Sequence, residues 1–300
     1  MIYVLGSLNM DYVGRFSHVP RAGETVLCES FELFCGGKGA NQAIAVAKLG
    51  GEVAMIGCVG NDDNGRTLKE NLLAANVDAE YVIEKDSPSG LAMIWVEGSD
   101  NRIAVAPNAN FLINESDVGE CLNQAKSGDI LIAQLETPLE IVLYAFKKAK
   151  EKGLTTILNP APAAKNLNQE FYQYTDIIAL NETEAEILTG INPVDNASIN
   201  SAIKKLQDFG VKKVILTLGE RGAFCAENKT ITEIKGEKVS VVDTTAAGDT
   251  FVGAVAERLS AGIDFIAACQ FANCASSITV QRRGAAISIP SREEVEAICH

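Results

Sequence analysis

Histidine is nearly missing from this chain of 300 residues: only His18 and His300 are present. His300 is the last residue, and His18 lies close to Pro20 in a turn-like stretch. A histidine triad or a histidine-ligated zinc site needs a placed imidazole, so neither is expected. Proton transfer is left to a carboxylate, Lys, Cys or Tyr. Long hydrophobic runs are missing too, with none near the ~18 residues of a membrane span. The stretch Met1-Ile2-Tyr3-Val4-Leu5-Gly6 lacks the basic region of a signal peptide and reads as a buried strand. Basic residues are in deficit: 26 Lys and Arg against 39 Asp and Glu, a formal net charge of −13. That balance argues against non-specific binding to nucleic acid or anionic membranes. It leaves room for an anionic ligand, because a local field can oppose the global one. No Cys-x-x-Cys occurs among the eight cysteines, and several sit in apolar patterns, as reduced thiols of a cytoplasmic protein do. The Gly-x-x-x-x-Gly-Lys-Ser/Thr loop and the protein-kinase signature set are absent. Gly6-Ser7-Leu8-Asn9 offers one glycine where a dinucleotide fold uses three.

What is present begins with Asp243-Thr244-Thr245-Ala246-Ala247-Gly248-Asp249-Thr250-Phe251. It follows a β-like run, Lys238 to Val242, and opens a helical pattern from Ala247 to about Leu259. Small residues at a helix start leave N–H groups open to an anion, and the helix dipole points the same way. Asp249 stands inside that first turn. There it either takes a proton from a hydroxyl attacking a phosphate or only complements the dipole. A second glycine-rich helix start, Cys35-Gly36-Gly37-Lys38-Gly39-Ala40-Asn41-Gln42-Ala43, permits close backbone approach. It adds a cation and an amide suited to sugar hydroxyls.

Short apolar runs alternate with helical patterns along the chain. Ile2–Leu5, Val53–Val59, Ile130–Gln134, Thr155–Asn159, Ile177–Leu180 and Lys213–Thr217 read as buried strands. Asn41–Leu49, Gly65–Ala75, Leu139–Lys152, Ser198–Phe209, Ala247–Ala261 and Asp264–Val280 read as helices. This order predicts a mostly parallel sheet covered on both faces. Asp11–Phe34 and the hairpin pattern of Leu91–Val96 with Arg102–Ala106 break the rhythm and predict a separate small sheet. In it Met93 and Trp95 alternate with Ala92, Ile94 and Val96, as the two faces of a lid or of a two-sided core strand would.

Several local patterns carry two readings each. Asn9 and Asp11 share a face of extended chain and suit a vicinal diol, or form an Asx turn. Glu136 ends a strand and precedes Pro138, where open α/β sheets bind ligands, or it caps a helix. Asn181-Glu182-Thr183-Glu184-Ala185-Glu186 holds Mg²⁺ through waters, or is an acidic first helical turn. Thr217-Leu218-Gly219-Glu220-Arg221-Gly222 passes a nucleotide, or only turns. Arg282-Arg283-Gly284-Ala285 binds phosphate, or is solvated.

These segments, with Gly6-Ser7-Leu8-Asn9-Met10-Asp11, Gln134-Leu135-Glu136 and Asn159-Pro160-Ala161-Pro162, occur in an order that resembles the PfkB carbohydrate-kinase family over almost the whole chain. Gly-Gly-Lys-Gly-Ala-Asn-Gln-Ala with Asn-x-Asp near the start is similar to its ribokinase branch. The resemblance implies one ribokinase-like α/β domain over 1–300, with three α/β/α layers and a mostly parallel central sheet. Lid strands would come from about 11–34 and 91–106. It implies transfer of the γ-phosphoryl of ATP to O5 of D-ribose or a similar sugar, with Mg²⁺ and activating K⁺, in a cytoplasmic homodimer joined through the lid. Asp249 is then the base, beside Gly248. Asn9, Asp11, Gly37, Lys38, Gly39, Ala40, Asn41 and Glu136 line the sugar pocket. Asn181 reaches the nucleotide phosphates and Glu184 the metal-bound waters. Thr217, Gly219, Gly222 and Asn273 flank the adenosine. Asp243 and Thr245, carbonyls of Thr279, Arg282 and Gly284, and the nearby Ser288 surround potassium. Relatives acting on deoxyribose, fructose or a keto-deoxy acid stay open, as does a sugar-binding protein without activity.

Overall fold

The computed structural model describes residues 1–98 and 100–298; Ser99 of the expected hairpin turn, Cys299 and His300 lie outside the described residues. In chain order the strands are β1 (Ile2–Leu5), β2 (Asn9–Phe16), β3 (Ser30–Gly36), β4 (Val53–Gly60), β5 (Val82–Lys85), β6 (Gly90–Glu97), β7 (Asp100–Ala106), β8 (Ile130–Ala133), β9 (Thr155–Leu158), β10 (Ile177–Asn181), β11 (Lys213–Thr217), β12 (Gly222–Glu227) and β13 (Thr230–Lys235). The helices are α1 (Lys38–Lys48), α2 (Asp63–Ala74), α3 (Glu115–Leu122), α4 (Leu139–Glu151), α5 (Glu170–Gln173), α6 (Glu182–Thr189), α7 (Asn196–Asp208), α8 (Ala247–Ser260), α9 (Phe265–Thr279) and α10 (Arg292–Glu296).

Runs without polar alternation become the middle of the main sheet, where both faces are covered. β1, β4 and β8 are buried along their whole length. The sheet has nine strands in the order β13-β12-β11-β10-β9-β8-β1-β4-β5. It is parallel from β11 through β5 and ends in the antiparallel β11–β12–β13 meander. Successive residues of β1 feed opposite cores. Ile2 and Val4 pack with α1, α2, α8 and α9 on one face. Tyr3 and Leu5 pack with α3, α4 and α7 on the other. Period-2 side-chain direction thus builds the three layers.

A second sheet of four strands, β3-β2-β6-β7, stands apart. β2 pairs in parallel with β6, while β3 and β7 close the two sides antiparallel.

Two expectations fail. Lys238–Val242 forms no strand. Val241 and Val242 are more than half exposed, and the N–H groups of Val242 and Asp243 donate to the Val280 carbonyl at the end of α9. Those donors serve a loop-to-helix tie, so no ladder forms. The second failure concerns the thiols: six described cysteines are free, but Cys274 is disulfide-bonded.

Candidate active site

Parallel strands point their C-terminal ends at one edge of the main sheet, and the small sheet roofs that edge. Between them lies a cleft of about 1050 Å³. Its floor carries Glu136 after β8, Asn159 after β9, Asn181 at the end of β10 and Thr217 at the end of β11; Asn9, Asp11, Ala92, Ile94, Ile103 and Val105 come from the roof. Ligands in open α/β sheets bind at this edge. The roof's other face is apolar, with Tyr12, Phe31, Met93 and Trp95 around a hollow of about 450 Å³. Along β6, Ala92 and Val96 line the cleft alone, Met93 and Trp95 the outer hollow alone, and Ile94 borders both.

Helix α8 enters the cleft at its N-terminus. Ala246 is the N-cap residue, held at φ 62, and no side chain caps the helix. Among the described residues no acceptor meets the N–H groups of Gly248 and Asp249. Open donors and the dipole together make an anion site. Asp249 is 6% exposed, unlike a surface aspartate that merely complements a dipole. Its Oδ2 accepts from Asn41 Nδ2 at 3.1 Å, and its Oδ1 accepts from Gln42 Nε2 at 3.0 Å. Both donors lie on α1, which packs tightly on α8. A Cβ placed on Gly253 would stand 2.6 Å from that of Ala45, so only glycine there allows the two amides to reach the carboxylate.

Around Asp249 the charges alternate. Lys38 is held in its charged form by Asp249 first, then by Glu136 and Glu184, against its own burial. Asp11 is pushed up to about 7, by burial first and then by Glu136 and Asp249. Glu136 accepts from the Ser7 hydroxyl and, at 3.3 Å, from the Lys38 N–H. Asn9 Oδ1 accepts from Asn110 Nδ2 at 2.8 Å, while Asn110 also bonds both backbone groups of Leu8. Asn41 Oδ1 is buried without a partner among the described residues. An unpaired buried acceptor beside a cleft fits a ligand hydroxyl.

Fourteen expected site residues line the cleft: Asn9, Asp11, Gly37, Lys38, Asn41, Glu136, Asn181, Glu184, Thr217, Asp243, Thr245, Gly248, Asp249 and Gly284. Eight do not. Gly39 and Ala40 are buried within α1. Gly219 starts a short 3-10 turn. Gly222 has φ 90, and a Cβ there would come within 2.1 Å of the Ile234 carbonyl, so the β12–β13 hairpin alone demands glycine. Asn273 donates to the Lys235 carbonyl at 3.0 Å. The Thr279 carbonyl, the atom expected at potassium, accepts from the Arg282 N–H at 3.1 Å. Arg282, expected through its carbonyl, pairs its side chain with Glu294, and the Ser288 hydroxyl donates to the Ala285 carbonyl.

Asn181 and Glu184 form a reciprocal capping box at the start of α6. Local helix chemistry therefore occupies them, although both face the cleft. Asp243 joins two loops: Oδ1 accepts from Thr245 N–H and hydroxyl, and Oδ2 from Gly284 N–H at 3.1 Å. Burial raises its carboxyl, and these hydrogen bonds more than reverse that, leaving it below the usual range.

Ser7, Gln42, Asn110, Gln134 and Asn159 were not singled out from the sequence. All but Asn110 stand inside motifs already noted; for Asn110 no sequence signal existed.

A roofed cleft that sets a buried carboxylate beside an uncapped helix start suits phosphoryl transfer to a polyhydroxy acceptor. The chain belongs to the pfkB family of carbohydrate kinases, whose profile matches residues 1–292. Among its relatives, the ribokinase of Haemophilus influenzae is 40% identical, covering 97% of this chain and 95% of its own. The ribokinase of Thermotoga maritima shares the fold with a TM-score of 0.89 at 38% identity, over 99% of this chain and 98% of its own. The Arabidopsis thaliana ribokinase complexed with ribose and ATP gives a TM-score of 0.91 at 30% identity, over 99% and 97%.

Proposed function

We propose that this chain transfers the γ-phosphoryl group of ATP to the 5-hydroxyl of D-ribose. The observation that carries this reading is Asp249, buried and amide-held, beside the open N–H groups of Gly248 and Asp249. The 5-hydroxyl oxygen bonds the γ-phosphorus, its proton passes to Asp249, and ADP leaves with the electrons of the broken P–O bond. The open amides of α8 and the Lys38 ammonium hold the transferring phosphoryl. The sugar is held by Asp11, Asn9, Asn41 and Glu136, an acceptor-rich set matched to hydroxyl donors. The roof excludes water, which would otherwise compete as acceptor.

Mg²⁺ would come with ATP and neutralise charge on its phosphates, with Glu184 on that side of the cleft. K⁺ would sit at the oxygen-rich junction of Asp243, Thr245 and the 279–288 loop. The Asp243 carboxylate, tying Thr245 to Gly284, fits such an ion. There it would order the start of α8. The apolar outer face of the roof would join two copies. Among the described residues no helix is long and apolar enough to cross a membrane, and we place the enzyme in the cytoplasm with its ATP.

The deciding experiment is ADP release across ribose, deoxyribose, fructose and keto-deoxy acids, in K⁺ and in Na⁺ at equal ionic strength. Ribose should give the highest kcat/KM and K⁺ the faster rate. Turnover greatest with another sugar would replace ribose by that sugar. No turnover with any would leave a binding protein.

A further inference from the structure

Three buried polar side chains, Gln42, Gln134 and Asn159, form a chain of hydrogen bonds leading to Asp249, and Asn159 also reaches the cleft floor. Asn159 Nδ2 donates to the Ala179 carbonyl at 2.9 Å. A carbonyl only accepts, so this bond fixes which end of the Asn159 amide is NH₂. Its Oδ1 therefore turns to Gln42 and accepts from Nε2 at 3.1 Å. The second hydrogen of the same Nε2 goes to Asp249 Oδ1 at 3.0 Å. Gln42 Oε1 accepts from Gln134 Nε2 at 2.6 Å. One backbone carbonyl thus dictates every amide orientation up to the carboxylate.

Most of this chain is shut away from solvent. Gln42 and Gln134 are fully buried, and Asn159 is nearly so. Among the described residues Gln134 Oε1 has no hydrogen-bond partner. Apolar side chains of similar shape would fill this space without leaving a buried oxygen unpaired. Polar groups that add so little to packing point to a task at their end, which is Asp249.

We propose that Gln42 is a positioning residue for the base. It holds Asp249 Oδ1 on the buried side, so that Oδ2, beside the cleft-lining Asn41, is the oxygen presented to the acceptor hydroxyl. Gln134 and Asn159 hold Gln42 in turn. The donated hydrogen bond also favours the ionised carboxylate, which the base needs before it can take a proton. The charged groups around Asp249 are Lys38 from α1, Asp11 from β2 and Glu184 from α6. Lys38 opposes the two carboxylates, and Asn41 and Gln42 are the neutral donors on the two oxygens of Asp249. This inference rests on Asp249 being the base.

The test measures phosphoryl transfer by rapid quench across pH at saturating ribose and ATP. Saturation with sugar removes the titration of free Asp11 from the profile. Gln42→Met takes away both donors, and Gln42→Glu also adds a negative charge. The transfer rate should fall about 10- to 100-fold in each, as misplacement of a reacting group does. The acid limb should move up by about one pH unit in Gln42→Met and further in Gln42→Glu. Affinities for ribose and ATP should stay within about threefold. Lower thermal stability with an unmoved acid limb assigns Gln42 to packing alone and overturns the proposal. If the Gln42 variants do not fold, Gln134→Met gives the same reading one bond further back, with a smaller shift in the same direction. Asp249→Asn separates the two levels. If it is inactive and the Gln42 limb does not move, only the positioning role falls. If it keeps its turnover, the base assignment and this inference fall together.

Discussion

Asp11 and Asp249 are both carboxylates in one cleft, and their surroundings give them different work. Asp249 has an amide donor on each oxygen, which holds the carboxylate in one orientation beside the cleft. Replacing it with Asn keeps the shape and removes the base. Turnover should drop by about 10²- to 10⁴-fold, while ribose and ATP affinities change little; steady-state assays with titration calorimetry check both. Asp11 sits without such donors and is pushed up to about 7. Sugar hydroxyls donate to its ionised form and pull that value down, so binding releases a proton in the window below pH 7. Ribose affinity should weaken as pH falls through 7, and calorimetry in buffers of different ionisation enthalpy should record the released proton. Asp11→Asn should abolish the release and cost about 1–3 kcal/mol of sugar binding. The sign for folding is opposite to that of an ordinary paired aspartate. A carboxyl raised from 3.8 to about 7 in the folded state favours folding below 3.8, and that contribution is lost as pH rises through 7. The empty Asp11→Asn protein should therefore melt higher than the parent at pH 8, and the difference should vanish at low pH.

At the scale of elements, helix α1 is the part on which the site depends most. It carries Lys38, Asn41 and Gln42, and small residues let it touch two partners. Its N-terminal Gly39 meets the turn after β1: an added Cβ would stand 2.6 Å from the Gly6 carbonyl carbon. Backbone on both sides cannot give way as a flexible side chain can. Gly39→Ala should therefore destabilise the fold by about 1–3 kcal/mol and lower ribose and ATP turnover together, as a shifted α1 moves Lys38 and Asn41 at once. Thermal melts with kinetics on the soluble fraction measure this. A stable variant of full activity would mean that β1 and α1 can separate without cost to the site. Helix α3, which was not anticipated, shows the opposite economy. It has eight residues and owes its start to the Asn114–Asp117 capping box, a signal too local for hydrophobic periodicity to register.

For the whole molecule, the roof sheet is the open question of assembly. Its outer face exposes Phe31 at 57%, Leu33 at 52% and Met93 at 41%, beside an apolar hollow. A four-stranded sheet covered on one side only is poorly protected from water. Light scattering at micromolar concentration should report about twice 31.9 kDa. Met93→Asp should shift it toward the monomer and raise KM for ribose more than for ATP, because the roof touches the sugar side. A parent protein that stays monomeric at high concentration would remove the dimer.

The layered sheet was legible because apolar runs repeat with the periods of buried strands and packed helices, a local signal. Ile2–Leu5 and Lys213–Thr217 could be read to the residue for that reason. The two glycine-rich helix starts and Asp249 were legible because helix termini carry their own chemistry. The Lys238–Val242 run misled, since apolar residues indicate a strand only where a neighbour offers a ladder, and here Val280 took the hydrogen bonds. Asn273 and Gly222 drew attention for a nucleotide; in the fold the Asn273 side chain bonds the Lys235 carbonyl, and a Cβ at Gly222 would clash with the Ile234 carbonyl. Gln42, Gln134 and Asn159 lie far apart along the chain and meet only when α1, β8 and β9 converge on α8. Sequence alone determined which side chains were available for chemistry. Which of them share a hydrogen bond, and that burial raises Asp11, was decided by tertiary structure, because burial and donor geometry arise from contacts between distant segments.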